Sequence, residues 1–366
     1  MSSVLKDLLR SLARLQLEHT DAVIIACLVF TAVLASGIPK IQIQTDFQEG
    51  LPQDLPPIVA EDKVEARFGN IDSLVVLFQT SDEPVQNSTV TDIRDPRMVE
   101  TLNFLSQELK QEPIIESTNS MSMLFDRDPS SKQQVKQKLS GSDVSFTNRD
   151  YTATTMYVKL SEEMTEENVK KATRILRENI RESPLYPGVE AHVTGLPAIR
   201  TSLSSIIISS SAKIIGVASI LILMLLTGVR GIFYGPATFV PLFMGLVWTL
   251  GAMGWLGLPL TIVTVALASM LLGLGVEYGS FIAERIVEEA EESDIENAVM
   301  KTMPNTGEAV LGSSTTDLIG FLALLMASIS FIQDLGLTLA LGEALTLTGA
   351  IVLTPALIIK YERWNR

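Results

Sequence analysis

Between Arg230 and Glu277 the chain carries no charged residue. A single helix through that run would be roughly 70 Å long, more than twice the ~30 Å hydrocarbon core of a bilayer, so the run has to fold back on itself. Gly254, Gly257 and Pro259 supply the turn. The pieces on either side belong to a series of spanning-length apolar stretches at 22–39, 205–229, 232–255, 259–282, 309–329 and 335–359. The expected fold class is therefore a membrane α-helical protein of six transmembrane helices, arranged as one plus five around a polar insert.

Composition enters because it cannot describe one uniform domain: 47% of residues are apolar, yet the net charge is −14 with 42 acidic side chains. Charge and apolarity at these levels must be segregated along the chain. One cysteine, Cys27, excludes an internal disulfide, and two isolated histidines, His19 and His192, make a structural zinc site or a histidine-based nucleophilic triad a poor expectation. Acidity argues against a nucleic-acid partner. No glycine-rich phosphate loop opens a helix, so neither nucleotide hydrolysis nor enzyme activity is expected, and no cofactor or metal is assigned.

Lys and Arg in the short flanks set the expected orientation. Lys6, Arg10 and Arg14 precede the first span, Arg230 separates the second and third, Arg285 and Lys301 follow the fourth, and Lys360, Arg363 and Arg366 close the chain. Both termini are placed in the cytoplasm of a cell membrane, and the polar insert outside. The expected organisation is an amphipathic N-terminal helix (1–20), the first span (21–39), an extracytoplasmic domain (40–204), spans two to four (205–283), a cytoplasmic amphipathic connecting helix (284–308), spans five and six (309–360) and a short tail (361–366). A basic start, an apolar stretch and Ala-Ser-Gly also describe a signal peptide, but the stretch is longer than an ordinary signal core, and retention is the reading taken. Residues 4–17, with Leu5, Leu8, Leu9, Leu12 and Leu15 set apart from Lys6, Arg10 and Arg14, read as an interfacial helix.

Within the insert, strand patterns at 73–79, 113–116, 151–160 and 188–194 alternate with helical spacing at 96–111 and 166–181. This is β-α-β twice, the order of a ferredoxin-like α+β domain. The polar stretch 120–150 between the halves reads as an irregular insertion, interrupted by Met121, Met123, Leu124 and Phe125. These apolar side chains suit either a small core cluster or a surface that touches a greasy substrate.

Ionisable groups inside spans are the chemically informative feature, because each costs at least roughly 2.5–3.5 kcal/mol at mid-bilayer. Glu277, Asp317 and Glu343 qualify. Glu277 and Tyr278 stand among Gly273, Gly275 and Gly279, small residues that let another helix approach closely. A titratable carboxyl beside a phenol at such a seam can load and release a proton, making Glu277, Tyr278 and Asp317 the candidate relay. The alternative for Glu277 is a cap or ion pair with Arg285. Thr315 and Thr316 offer hydroxyl support to Asp317, and Glu343 suits either an interfacial position or a pairing with Lys213, whose own stem can snorkel outward. The acidic run at Glu288, Glu289, Glu291 and Glu292 reads as a solvated helix face.

The segment G-L-G-V-E-Y-G-S-F-I-A-E-R-I-V-E-E-A resembles the fourth span of resistance-nodulation-division permeases of the MMPL (hydrophobe-amphiphile efflux) type. T-T-D-L-I-G-F-L-A-L-L-M-A-S-I-S-F-I-Q-D-L-G-L-T-L-A-L-G and L-T-P-A-L resemble its fifth and sixth. The resemblance implies proton-motive-force-driven movement of lipids or other apolar molecules, with the relay acid at Glu277, where Asp is usual, and the phenol at Tyr278. Many such relatives have twelve spans in two halves, so a six-span chain implies a homodimer in which Glu277 of one subunit faces Tyr278 of the other. Two other readings fit the same residues: a protein-translocation accessory of the SecD/SecF type, and a non-transporting, sterol-sensing-like lipid-binding protein.

Overall fold

A computed structural model describes residues 2–44, 51–52, 55, 73–81, 90–141, 146–161, 165–261 and 263–365. Its elements run α1 (Ser2–Glu18), α2 (Thr20–Ala35), β1 (Ile43–Gln44), β2 (Leu74–Thr80), α3 (Pro96–Leu109), β3 (Ile115–Ser120), α4 (Lys132–Ser140), β4 (Ala153–Leu160), α5 (Glu166–Glu182), β5 (Val189–Thr194), α6 (Leu196–Leu256), β6 (Leu260–Thr261), α7 (Leu267–Glu292), α8 (Ile295–Ala323) and α9 (Ser330–Asn365). The chain divides into two compact units, Met1–Ile58 with Ser204–Arg366, and Val59–Leu203.

In Val59–Leu203, β2 to β5 form one antiparallel sheet in the order β3-β4-β2-β5. Side chains on successive strand residues point to opposite faces. In β2 this sends Leu74, Val76 and Phe78 into a core with Met156 and Val158 of β4, Leu102 and Leu105 of α3, and Leu176 of α5. Burial of each such side chain contributes about 1.5–3 kcal/mol. Three helices start on side-chain caps: Asp95 accepts from the Arg97 amide, Ser131 from Gln134 and Thr165 from Asn168. Helix α4, nucleated by the Ser131 cap, occupies part of the stretch expected to be irregular. Met121 is fully buried in the core and Phe125 packs against it, whereas Met123 is exposed.

Among the described residues, four helices are long and apolar enough to cross a membrane: Thr20–Lys40, Leu196–Leu256, Ile295–Met326 and Ser330–Asn365. Helix α6 is broken at Gly231, whose φ of 86° and ψ of 171° lie outside the helical range. A residue with a Cβ rarely adopts that conformation. Helix α7 starts later than the apolar pattern suggests, because Leu260–Thr261 pair in parallel with Ile43–Gln44 and Thr264 then opens a 3₁₀ turn. Residues 284–308, expected as one connecting helix, are the end of α7 and the start of α8, which meet at Ser293 and the capping Asp294.

Helix α1 packs on its own bundle. Leu9, Ala13 and Gln16 are buried, Lys6 pairs with Glu308 at 3.2 Å, and Val4, Leu8 and Leu15 remain exposed. Helices α2 and α6 meet with backbones in contact: a Cβ on Gly251 would collide with the Leu34 carbonyl, and one on Gly254 with the Gly37 carbonyl. Trp248 locks this crossing by donating its indole N–H to Thr31 Oγ1 at 2.7 Å.

Candidate functional site: a three-helix polar cluster

Helix α7 buries the face carrying Leu271, Gly275, Tyr278, Gly279, Ile282 and Ile286, which recur at the three- and four-residue steps of a helical stripe. Two of its glycines make the packing possible. A Cβ on Gly279 would lie 3.1 Å from Thr238 Cγ2 of α6 and 3.5 Å from Thr354 Oγ1 of α9, and one on Gly275 would strike Leu242 Cδ1. Gly273 does not share this role: it is exposed, and a Cβ added there would meet nothing within 4 Å.

This close approach brings Tyr278 of α7, Asp317 of α8 and Glu343 of α9 together. The Tyr278 hydroxyl is hydrogen-bonded to Glu343 Oε1 and lies 3.2 Å from Asp317 Oδ2. Tyr278 and Glu343 are only 2% and 1% exposed. Glu343 Oε2 is buried without a hydrogen-bond partner among the described residues. A phenol has one hydrogen to give. The phenol oxygen can also accept, so Tyr278 is the one group placed to bridge the two carboxyl groups among the described residues.

The other expected site residues are placed differently. Glu277 is exposed on α7, one helical step from Tyr278, though within electrostatic reach of Glu343. The acid buried beside the phenol is therefore Glu343, because neighbouring positions on a helix point about 100° apart and Tyr278 takes the inward direction. Lys213 is exposed on α6 and makes no ion pair with Glu343 among the described residues, so the Lys213–Glu343 pairing read from the sequence is replaced by Tyr278–Glu343. Thr315 and Thr316 are exposed and spend their hydroxyls on the Leu311 and Gly312 carbonyls of their own helix.

A groove of about 300 Å³ between α7 and α8 reaches Tyr278 and is lined also by Phe281, Arg285, Thr306 and Ser313 among others. Beyond it, Glu289 is buried between Arg285 and Lys301, to both of which it is ion-paired. It does not belong to the solvated acidic face read from the sequence. Its spacing of four residues from Arg285 was the available signal, but only α8 supplies Lys301.

The MMPL family profile matches residues 50–366. Over 98% of this chain and 95% of the other, a membrane protein of Methanocaldococcus jannaschii, MJ1562, is 28% identical. MmpL4 of Mycobacterium leprae, described as a probable transport protein, is 24% identical over 86% of this chain and 31% of its own length. The siderophore exporter MmpL5 of Mycobacterium tuberculosis is 25% identical over 59% of this chain and 23% of its own length. The chain thus matches less than a third of either mycobacterial relative. SecDF in its super-membrane-facing form superposes with a TM-score of 0.44 and 14% identity, over 95% of this chain and 38% of that one. The chain belongs to the MMPL family.

Proposed function

We propose that this MMPL-family chain is a transporter, in the export direction, of hydrophobic or amphiphilic molecules such as lipids, driven by the proton-motive force. The observation that carries the reading is the juxtaposition of three ionisable side chains from three helices inside the bundle: the buried Tyr278 hydroxyl lies between Glu343 and Asp317. Two carboxyl groups share one phenol between three helices, so any change at one of them is felt on all three. A proton falling through the full potential supplies about 2.3 kcal/mol per 100 mV, enough to bias two arrangements of a bundle more than tenfold. The 24–28% identities to named membrane and transport proteins support the same reading.

In this reading the bundle spans the cytoplasmic membrane six times, with α6 counted twice across Gly231 and α7 counted once. Both termini lie in the cytoplasm, and the sheet unit lies outside as a ferredoxin-like domain, in keeping with its β-α-β-β-α-β order and its β3-β4-β2-β5 arrangement. The chain works as a C₂ homodimer, in which Glu277, exposed within one subunit, faces the mate across α7. Glu277 then joins Tyr278, Asp317 and Glu343 as the fourth group of the relay.

The test is proton flux into phosphatidylethanolamine–phosphatidylglycerol vesicles carrying a trapped pH-sensitive dye, under an imposed potassium diffusion potential. The unmodified chain and the surface control Glu178→Gln are expected to conduct, and Glu343→Gln and Asp317→Asn to lose conduction. Equal flux in all four would overturn the coupling role.

A further inference from the structure

Proline at a helix interior removes the amide that would have bonded the carbonyl four residues earlier. In α9 that proline is Pro355, and the carbonyl it frees is Ile351 O. A carbonyl left without a partner inside a bundle is costly. Here a different helix fills it: Gln16 of α1 donates its side-chain amide to Ile351 O at 2.9 Å and to Val352 O at 2.9 Å. The two carbonyl acceptors fix which end of the amide is nitrogen. Gln16 is fully buried, and its own oxygen finds no partner among the described residues, so the side chain serves there as a donor.

The location matters because α9 also carries Glu343, two helical turns before Ile351. Beyond the proline the same helix is pinned near the start of α2 and to α8. Lys360 pairs with Asp21 at 2.6 Å, and Arg363 reaches Thr20 Oγ1 at 3.3 Å and Glu296 at 3.2 Å. One end of α9 is anchored, the other holds the buried acid, and the interrupted turn between them is closed by Gln16. Proline-interrupted turns are where helices bend.

We infer that Gln16 is a positioning residue: it latches the proline-interrupted turn of α9 and so holds Glu343 against Tyr278. Helix α1 is the body of the latch, seated by Leu9 and Ala13 and by the Lys6–Glu308 pair. Through it, the N-terminal helix sets how readily the Glu343-bearing half of α9 tilts. The consequence for proton handling rests on the transport reading above; the latch itself does not.

The experiment is a double-mutant cycle on the full chain in detergent and in vesicles, using Gln16→Ala, Pro355→Ala and the pair. Pro355→Ala restores an amide to Ile351 O, so the latch becomes redundant. Gln16→Ala alone is expected to speed hydrogen exchange of the amides from Ala356 to Ile359 about tenfold, with little further change when it is added to Pro355→Ala. A second readout is the carboxylic C=O infrared band that disappears in Glu343→Gln. Its pH midpoint is expected to move in Gln16→Ala and to return in the pair. Equal exchange rates in the unmodified chain and Gln16→Ala, or equal acceleration by Gln16→Ala in both backgrounds, would overturn the latch. A confirmed exchange pattern with an unmoved midpoint would overturn its link to Glu343. If no Glu343 band titrates, the transport reading fails while the exchange cycle still decides the latch.

Discussion

Tyr278 and Glu343 meet across the α7–α9 interface, phenol to carboxyl, with the second oxygen of the acid buried and unbonded among the described residues. Removing the phenol oxygen takes away the only group that bridges Glu343 to Asp317 among the described residues. Tyr278→Phe is therefore expected to lower proton flux at least tenfold and to destabilise the bundle by about 1–3 kcal/mol, the usual consequence of stranding a buried polar group. Glu343→Gln keeps the shape and a neutral acceptor, so its flux is abolished with a much smaller change in thermal midpoint. Flux and thermal unfolding measured on the same preparations separate these outcomes. A Tyr278→Phe chain with unaltered flux would remove the phenol from the mechanism.

In the proposed homodimer the exposed stripe of α7 at Gly273 and Glu277 is the contact face. Gly273→Leu meets no atom of its own subunit at the Cβ position. It is expected to leave the thermal midpoint within a few degrees while shifting the particle from two subunits to one, as read by light scattering in detergent and by photobleaching steps in vesicles. A dimer that persists in Gly273→Leu would place the interface elsewhere.

The α2–α6 crossing gives a sharper contrast in stability. Gly251→Ala drives a methyl group into the Leu34 carbonyl, a backbone atom that cannot rotate away. The expected destabilisation is about 1–3 kcal/mol or more. Gly216→Ala, on the first half of α6 with nothing within 4 Å, is expected to be neutral or to stabilise by up to about 1 kcal/mol through helix propensity. Thermal unfolding followed by circular dichroism tests the pair.

Much of this was legible in the sequence. The strand and helix patterns of the insert fall within two or three residues of β2, α3, β4, α5 and β5 at most boundaries, because alternation and caps such as Asp95 and Thr165 are local signals. Gly231, beside Arg230, breaks α6 where the apolar pattern is interrupted. Rotation about a helix axis was not legible. An apolar span has no polar face to orient it, so nothing in the residues told Tyr278 inward from Glu277 outward, or matched Glu343 with Tyr278 in place of Lys213. Gln16 escaped notice for a related reason. A glutamine on an otherwise apolar face has meaning only beside Pro355, 339 positions later.

Acid should loosen the sheet unit from one identifiable place. Burial pushes the Asp92 carboxyl up, but hydrogen bonds and charge from Arg94 at 2.6 Å and Lys132 at 2.7 Å outweigh it and hold the group well below the usual carboxylate range. The Arg97 guanidinium holds Asp95 low as well. A depressed folded-state pKa contributes stability that is present above the unfolded value, about 3.9, and is lost as the pH falls through the folded one. Stability of this unit is expected to decline from about pH 4 downward, and Asp92→Asn to flatten the decline. Hydrogen exchange of residues 90–110 at pH 6 and pH 3 reports it directly; identical ratios in both chains would contradict the assignment.

Where Gly37, Gly251 and Gly254 let two main chains touch, a Cβ on any of the three would strike the backbone of the other segment. Sliding one helix past the other would have to break that backbone contact and the Trp248–Thr31 bond together. Whatever cycle the protein runs, Thr20–Ala35 and the part of α6 after Gly231 act as its chassis. The preceding arm of α6 joins the same body from the other side of Gly231, through Leu226 packed with Phe239, Leu242 and Leu246.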